Sequence, residues 1–166
     1  MSTNREIVDK FYLGVSTGNA EMVAGLLDDR MELVVPVGRG VLSGHYKGKQ
    51  RFMTEVLPLV FSCTNPGEIV FCKDHQIMAE DGETVVAIAR NDGLAASGAR
   101  YDQVYAHIMT VRDGKILRLI EFFDSALAER ALWGSSPDLP PDAAFNMSDI
   151  NSADATPNAD TTAATG

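Results

Sequence analysis

Residues 101–124 constrain this chain more than any other stretch. Tyr101-Asp-Gln-Val-Tyr-Ala-His-Ile-Met-Thr-Val-Arg112 runs into Asp113-Gly114 and resumes as Lys115-Ile-Leu-Arg-Leu-Ile-Glu-Phe-Phe-Asp124. Asp-Gly between two alternating runs predicts an antiparallel hairpin with a tight turn. Alternation gives Tyr101, Gln103, Tyr105, His107, Met109 and Val111 one face of the first strand. It gives Leu117, Leu119, Glu121 and Phe123 one face of the second, opposite Arg118, Ile120, Phe122 and Asp124. The face with Leu117, Leu119 and Phe123 is the more apolar and is predicted to point inward, taking Glu121 with it. A carboxylate among Leu and Phe is costly unless it is paired or protonated, so Glu121 is where chemistry is expected.

The segments before the hairpin supply what it needs to pack against. Ile7, Val8, Phe11, Tyr12 and Val15 recur at helical spacing, and Ser16-Thr-Gly-Asn19 breaks that helix. Met22, Val23, Leu26 and Leu27 predict a second helix ending at Asp28-Asp29. Residues 31–37 predict a strand in which Pro36 marks an edge or an end. Residues 38–48 read as a glycine-rich loop, and 49–60 as a third helix with Pro58 near its close. His45 in that loop and His75 further on are expected at the surface. After Asn65-Pro-Gly67 the pattern alternates, predicting strands over 68–80 and 83–92 joined at Asp81-Gly82. A short helix over 125–133, capped by Ser125, follows the hairpin. Helices first and antiparallel strands after is an α+β arrangement, with helices packed on one curved, mostly antiparallel sheet.

Beyond Trp133 the periodicity stops. Residues 134–166 contain Pro137, Pro140 and Pro141, no Lys, Arg or His, and few large apolar side chains. Such a segment cannot offset its own ordering entropy. The chain is therefore divided into a folded domain over 1–133 and a disordered acidic tail over 134–166. The formal charge of −9 is partly local to that tail, and it argues against nucleic acid as a partner, since phosphate needs a basic patch. No apolar run is long enough to span a membrane, and the start lacks the apolar core of a signal peptide. The default expectation is a cytoplasmic protein that does not act at a membrane. Cys63, Cys72 and the three scattered histidines are too few for a metal site, and no glycine-rich phosphate loop is present. Neither metal nor cofactor is expected.

Further motifs join the hairpin: Phe11-Tyr12 ahead of Gly18, Leu26-Leu-Asp-Asp29 leading to Pro36-Val-Gly38, and Gly44-His-Tyr-Lys-Gly48. With Tyr101–His107, Arg112-Asp-Gly-Lys-Ile116 and Glu121-Phe-Phe-Asp124 they resemble the nuclear-transport-factor-2-like cone fold. Within it they resemble the SnoaL-like polyketide cyclases and ketosteroid isomerases. The resemblance covers roughly residues 4–133. It implies a small hydrophobic molecule bound in the cone and a homodimer paired through the outer face of the sheet. Steroid isomerases of this group use a Tyr, an Asp base and a protonated Asp at positions held here by Phe11, Val35 and His107, so their mechanism is not implied. SnoaL-like cyclases use a His on the penultimate strand and an Asp on the last, which match His107 and Glu121. Limonene-epoxide-hydrolase-like members use Arg-x-Asp on the strand before, matched by Arg90-Asn91-Asp92 together with Glu121.

These matches leave three functions open. A cofactor-free isomerase, cyclase or lyase would use Glu121 as base, His107 to orient it or act as acid, and Tyr105 to hold an enolate oxygen. An epoxide hydrolase would activate water with Glu121 or Asp92, bridged by Arg90. A non-catalytic domain would hold a ligand in the cone or simply fill it. Gln103, Tyr105, Phe123, Tyr12 and Trp133 are the expected substrate-binding residues. Arg90 and Asp92 share strand parity with Val86 and Ile88, so both are expected to face inward.

Overall fold

A computed structural model describes residues 3–150. Thr3 caps the first helix, α1 (Asn4–Ser16), in a reciprocal box with Glu6. Helix α2 (Ala20–Leu26) follows, and strand β1 (Leu27–Val35) starts without a loop. The predicted glycine-rich loop contains a short strand, β2 (Gly44–Lys47). The third helix comes as α3 (Lys49–Arg51), a π-helical segment (Phe52–Val56) and α4 (Leu57–Ser62). Strands β3 (Thr64–Asp81), β4 (Thr84–Ala95), β5 (Val104–Arg112) and β6 (Lys115–Phe122) complete the sheet. Helix α5 (Ser125–Leu127) runs into a second π-helical segment (Ala128–Trp133). Its cap is Asp124, whose carboxylate accepts the Leu127 N–H, rather than Ser125. Helix α6 (Met147–Ile150) closes the described chain. No helix of the described residues is long and apolar enough to cross a membrane.

The sheet is six-stranded in the order β2-β1-β6-β5-β4-β3. All neighbours are antiparallel except β1 and β6, which run parallel. Asp113 and Gly114 both have positive φ (52° and 74°), the backbone of a type I′ hairpin turn. The hairpin register is broken once, between Thr110 and Val111. That break puts Ile116, not Leu117, opposite Val111 and into the main core cluster. Leu119, Glu121 and Phe123 face inward as predicted. Helix α1 lays Val8, Phe11 and Tyr12 on the inner face of the sheet, against a core that includes Leu33, Ala87, Ala89 and Met109.

The outer face holds a surprise at the β2-β1-β6 end. Residues from Gly134 onward were expected to be disordered, yet 134–145 lie back along β2. Leu139 N–H donates to Val41 O, and the Tyr46 hydroxyl donates to Leu139 O. His45 N–H donates to Ala143 O and Asp142 N–H to His45 O, both at 2.8 Å. Gly44 (φ 80°) admits this strap, since a Cβ there would run into the Ala143 carbonyl. The strap succeeds because β2 is an edge strand whose unpaired backbone groups it can satisfy. Residues 151–166 of the expected tail lie outside the described residues. Under the strap, Glu32 accepts from His45 Nδ1 (2.8 Å) and Arg118 Nε (3.1 Å), so His45 is buried rather than at the surface. The remaining outer face carries the apolar side chains Ile88, Val104 and Phe122 in the open.

Asp142 latches the strap: it accepts the Lys47 N–H at 2.7 Å and pairs with Arg51 at 2.5 Å. Burial alone would raise its pKa, but these bonds outweigh it and hold the carboxyl below its ordinary value. A depressed carboxyl stabilises above its unfolded pKa and loses that contribution as pH falls through the folded one. Protection of the amides at residues 139–145 against hydrogen exchange, relative to the free-chain rate at each pH, should therefore be high at neutral pH and fall below about pH 4. Asp142→Asn should lower that protection at neutral pH already and show a flatter acid limb.

Candidate active site

The inner face of the sheet and the helices enclose an open-mouthed cavity of about 740 Å³, counting the space at its mouth. Its helical wall is apolar, with Phe11, Phe52, Val56, Leu132 and Trp133 prominent. Both π-helical segments contribute to it. The polar groups that reach the cavity come from the sheet: Cys72, Tyr105, His107 and Glu121.

Glu121 and His107 are register partners on β6 and β5, which places their side chains on one face and within reach. His107 Nε2 lies 2.9 Å from Glu121 Oε2, and its Nδ1 lies 2.8 Å from the Tyr12 hydroxyl. His107 is buried; the Glu121 side chain keeps 21 % exposure at the cavity. Burial is the main reason the Tyr12 phenol is pushed far above its ordinary pKa, with the charges of Cys72 and Glu121 adding to it. Tyr12 therefore keeps its proton. A buried O–H needs an acceptor, and Nδ1 is the partner it has. The proton on the imidazole then sits on Nε2 and is donated to Glu121. The order Tyr12 → His107 → Glu121 fixes one carboxylate oxygen and leaves Oε1 for the cavity.

Tyr105 stacks on His107 at 5.3 Å between ring centroids. Its oxygen accepts from Asn91 Nδ2 at 3.1 Å, and its O–H donates to the Tyr101 oxygen at 3.5 Å. Desolvation pushes the Tyr105 phenol well up and the Tyr101 phenol to about 12. Both are proton donors at neutral pH, not phenolates. Asn91, wholly buried, also accepts the Cys72 N–H at 2.9 Å and so holds Cys72 at its positive φ of 48°. Burial raises the Cys72 thiol too, which removes it as a thiolate nucleophile.

Several expected site residues lie elsewhere. Arg90 and Asp92 face out: Arg90 pairs with Asp74, and Asp92 with Lys73 and Arg100. The inward parity of β4 belongs to Val85, Ala87, Ala89 and Asn91. Both faces of this strand are apolar, so alternation alone did not choose between them. Gln103 is buried but does not line the cavity; its amide clamps the Asp124 backbone through both N–H and C=O. Tyr12 also lies behind the wall, supporting His107, whereas Phe123 and Trp133 line the cavity as expected. Asn91, Cys72 and the supporting role of Tyr12 were missed. Asn91 had one signal: it shares parity with the small residues Ala87 and Ala89, which suit a strand pressed beneath a helix. Among the described residues no group of three or more His, Cys, Asp or Glu is placed to hold a metal ion.

The chain belongs to the SnoaL-like domain family, whose profile matches residues 8–119. Its fold is that of nuclear-transport-factor-2-like proteins. A protein of unknown function from Burkholderia pseudomallei shares it at TM-score 0.68 and 19 % identity, over 80 % of this chain and 98 % of that one. A candidate isomerase from Bacillus subtilis aligns at TM-score 0.65 and 20 % identity, over 82 % and 96 %. TerC, co-crystallised with polyporic acid, aligns at 0.63 and 23 %, over 78 % and 98 %. No curated protein sequence matches the chain.

The hydrogen-bond order makes a spectroscopic prediction. ¹⁵N NMR of His107 should show a proton on Nε2 and Nδ1 as the acceptor of the Tyr12 hydroxyl. Tyr12→Phe would leave buried Nδ1 without its donor, costing about 1–3 kcal/mol of stability by denaturant titration and moving the Nδ1 resonance. An unchanged Nδ1 shift in that variant would break the assigned order.

Proposed function

We propose that this protein is a cofactor-free general acid/base enzyme of isomerase, cyclase or lyase type, acting on a small hydrophobic carbonyl compound. One observation carries this reading: among the described residues a single carboxylate, Glu121, opens onto a largely apolar cavity with its other oxygen held by a buried His107–Tyr12 pair. Such a group is fixed in aim and sits at the edge of an apolar space, which suits a base for carbon acids. Glu121 takes a proton from the carbon beside the substrate carbonyl. The C–H electron pair moves into the carbonyl to give an enolate. The Tyr105 O–H, which rests on the Tyr101 oxygen at 3.5 Å while Asn91 anchors its own oxygen, is the wall group that would turn to the enolate oxygen. Glu121 then returns the proton to a different carbon, or the enolate closes a ring or expels a leaving group. Among the described residues no Lys or Arg lines the cavity, so a substrate with an anionic group inside it is disfavoured. A candidate isomerase and a protein crystallised with polyporic acid on the same fold agree with this class of chemistry. The epoxide hydrolase alternative loses its support, because Arg90 and Asp92 stand on the far face of the sheet.

The reaction can be tested without the natural substrate. Hydrophobic cyclic ketones in D₂O should exchange their α-protons in the presence of the protein, followed by ¹H NMR. Glu121→Gln should slow that exchange at least about 100-fold while leaving ketone binding within a few-fold. Exchange that is equal in the two proteins would refute Glu121 as the base. Binding with no exchange in either would instead mark a ligand-holding cavity.

A further inference from the structure

A column of nearly parallel rings runs from the surface to the cavity. His75 of β3 stacks on Tyr12 of α1, with centroids 4.4 Å apart and planes at 25°. Tyr12 stacks on His107 of β5 at 5.8 Å and 19°. His107 stacks on Tyr105 at 5.3 Å and 17°. The inner rings are buried, but the His75 side chain is 26 % exposed, and its Nε2 lies 2.8 Å from Asp9 Oδ1. The sequence placed His75 at the surface, which is right for its edge and overlooks the face that meets Tyr12.

We propose that His75 is a positioning residue for Glu121, acting through Tyr12 and His107, and that protonating His75 makes Glu121 a weaker base. A protonated imidazole 4.4 Å from the phenol ring draws on the ring's electrons, as a cation over an aromatic face does. The Tyr12 O–H becomes a stronger donor to His107 Nδ1. An imidazole whose Nδ1 accepts more strongly donates more strongly from Nε2, and its partner there is Glu121 Oε2. When His75 loses its proton, Asp9 is left unneutralised beside Tyr12 and each step reverses. The other groups around His75 do not confuse the assignment. On α1 the titratable groups it meets are Asp9 and Tyr12. On β4 its register partner is Ala89. On its own strand, Lys73 and Asp74 are committed to Asp92 and Arg90. The catalytic consequence rests on Glu121 being the base; the coupling between the rings does not.

The test is NMR of the histidine ring nitrogens in the full chain from pH 5 to 8.5. In the unaltered protein, the His107 resonances should shift with the same midpoint as His75 itself. His75→Phe keeps a ring on Tyr12 but cannot titrate, and there the His107 shift at that pH should vanish. Asp9→Asn keeps His75 but removes its carboxylate, so any change in the His75 midpoint should be matched by the same change in the His107 response. In Glu121→Gln the His107 response should persist, which separates it from any titration of Glu121. In the ketone exchange assay, the kcat profile should carry a step of about two- to fivefold, rising as His75 deprotonates, with KM unchanged. That step should be missing in His75→Phe. His107 resonances that stay flat through the His75 midpoint would overturn the proposal, and so would the same inflection surviving in His75→Phe. Loss of the Glu121→Gln effect on exchange would sink the enzymatic reading instead, and the NMR result would still decide the coupling.

Discussion

Strand register is the constraint on which the site depends. His107 and Glu121 face each other across β5 and β6 because the Asp113-Gly114 turn closes the hairpin in one frame. A slip of one residue would send every side chain of β6 to the other face. Glu121 would then stand outside with Phe122 taking its place in the cavity. The single irregularity, between Thr110 and Val111, lies close to the turn. It exchanges Leu117 for Ile116 in the core and leaves the pairing of His107 with Glu121 intact. The turn therefore acts at a distance: a dipeptide at one end of the hairpin fixes which carboxylate meets which imidazole near the other.

Most of the fold was legible because its signals were redundant. Helix α1 had both its spacing and the Ser16–Asn19 break that ends it, and the hairpin had both its turn and its alternation. What failed did so for identifiable physical reasons. Arg90 and Asp92 were placed inward because β4 presents apolar residues on both faces, Val86 and Ile88 outside against Val85, Ala87 and Ala89 inside. Larger side chains looked like core, yet the small ones are buried, since α1 packs close to them. The strap over β2 failed differently. Its composition argues correctly that it cannot fold alone, but it does not have to. The edge of β2 offers it backbone partners, and Arg51 and Tyr46 wait beside that edge. His45 was misread with it, because a histidine in a glycine-rich stretch looks exposed until something covers it. The site was legible at Glu121, His107 and Tyr105, whose parity belongs to the hairpin. It was not legible at Asn91 or Tyr12, whose roles exist only once separate elements meet.

Several buried polar groups of the sheet are spent on a partner, whereas Glu121 keeps an open side. Gln103 is spent on the Asp124 backbone, Asn91 on Cys72 and Tyr105, and Tyr12 on His107. Even the buried Glu32 beneath the strap is matched by Arg118 and His45. Unpaired burial of any of these would cost more than their bonds return. Glu121 takes its hydrogen bond from His107, and the balance of its solvation comes from the open side of the cavity. A ligand that fills the cavity takes that water away and leaves the proton as the nearest source of compensation, which is what a base for carbon acids requires.

The two walls of the cavity then divide the work. The sheet carries the chemical groups, each locked by register and by a partner on a neighbouring element. The helical wall carries Phe11, Phe52, Val56 and Trp133, none of them ionisable. Much of it sits on π-helical turns, whose wider loops shift side chains off the regular helical rows and open space beside them. Changes in size along that wall alter the shape the cavity accepts without touching the bond between His107 and Glu121. Groups able to exchange a proton and side chains that shape the cavity thus sit on different secondary structures. That separation explains why strand parity picks out the groups on the sheet, while the side chains that shape the cavity read in the sequence only as core.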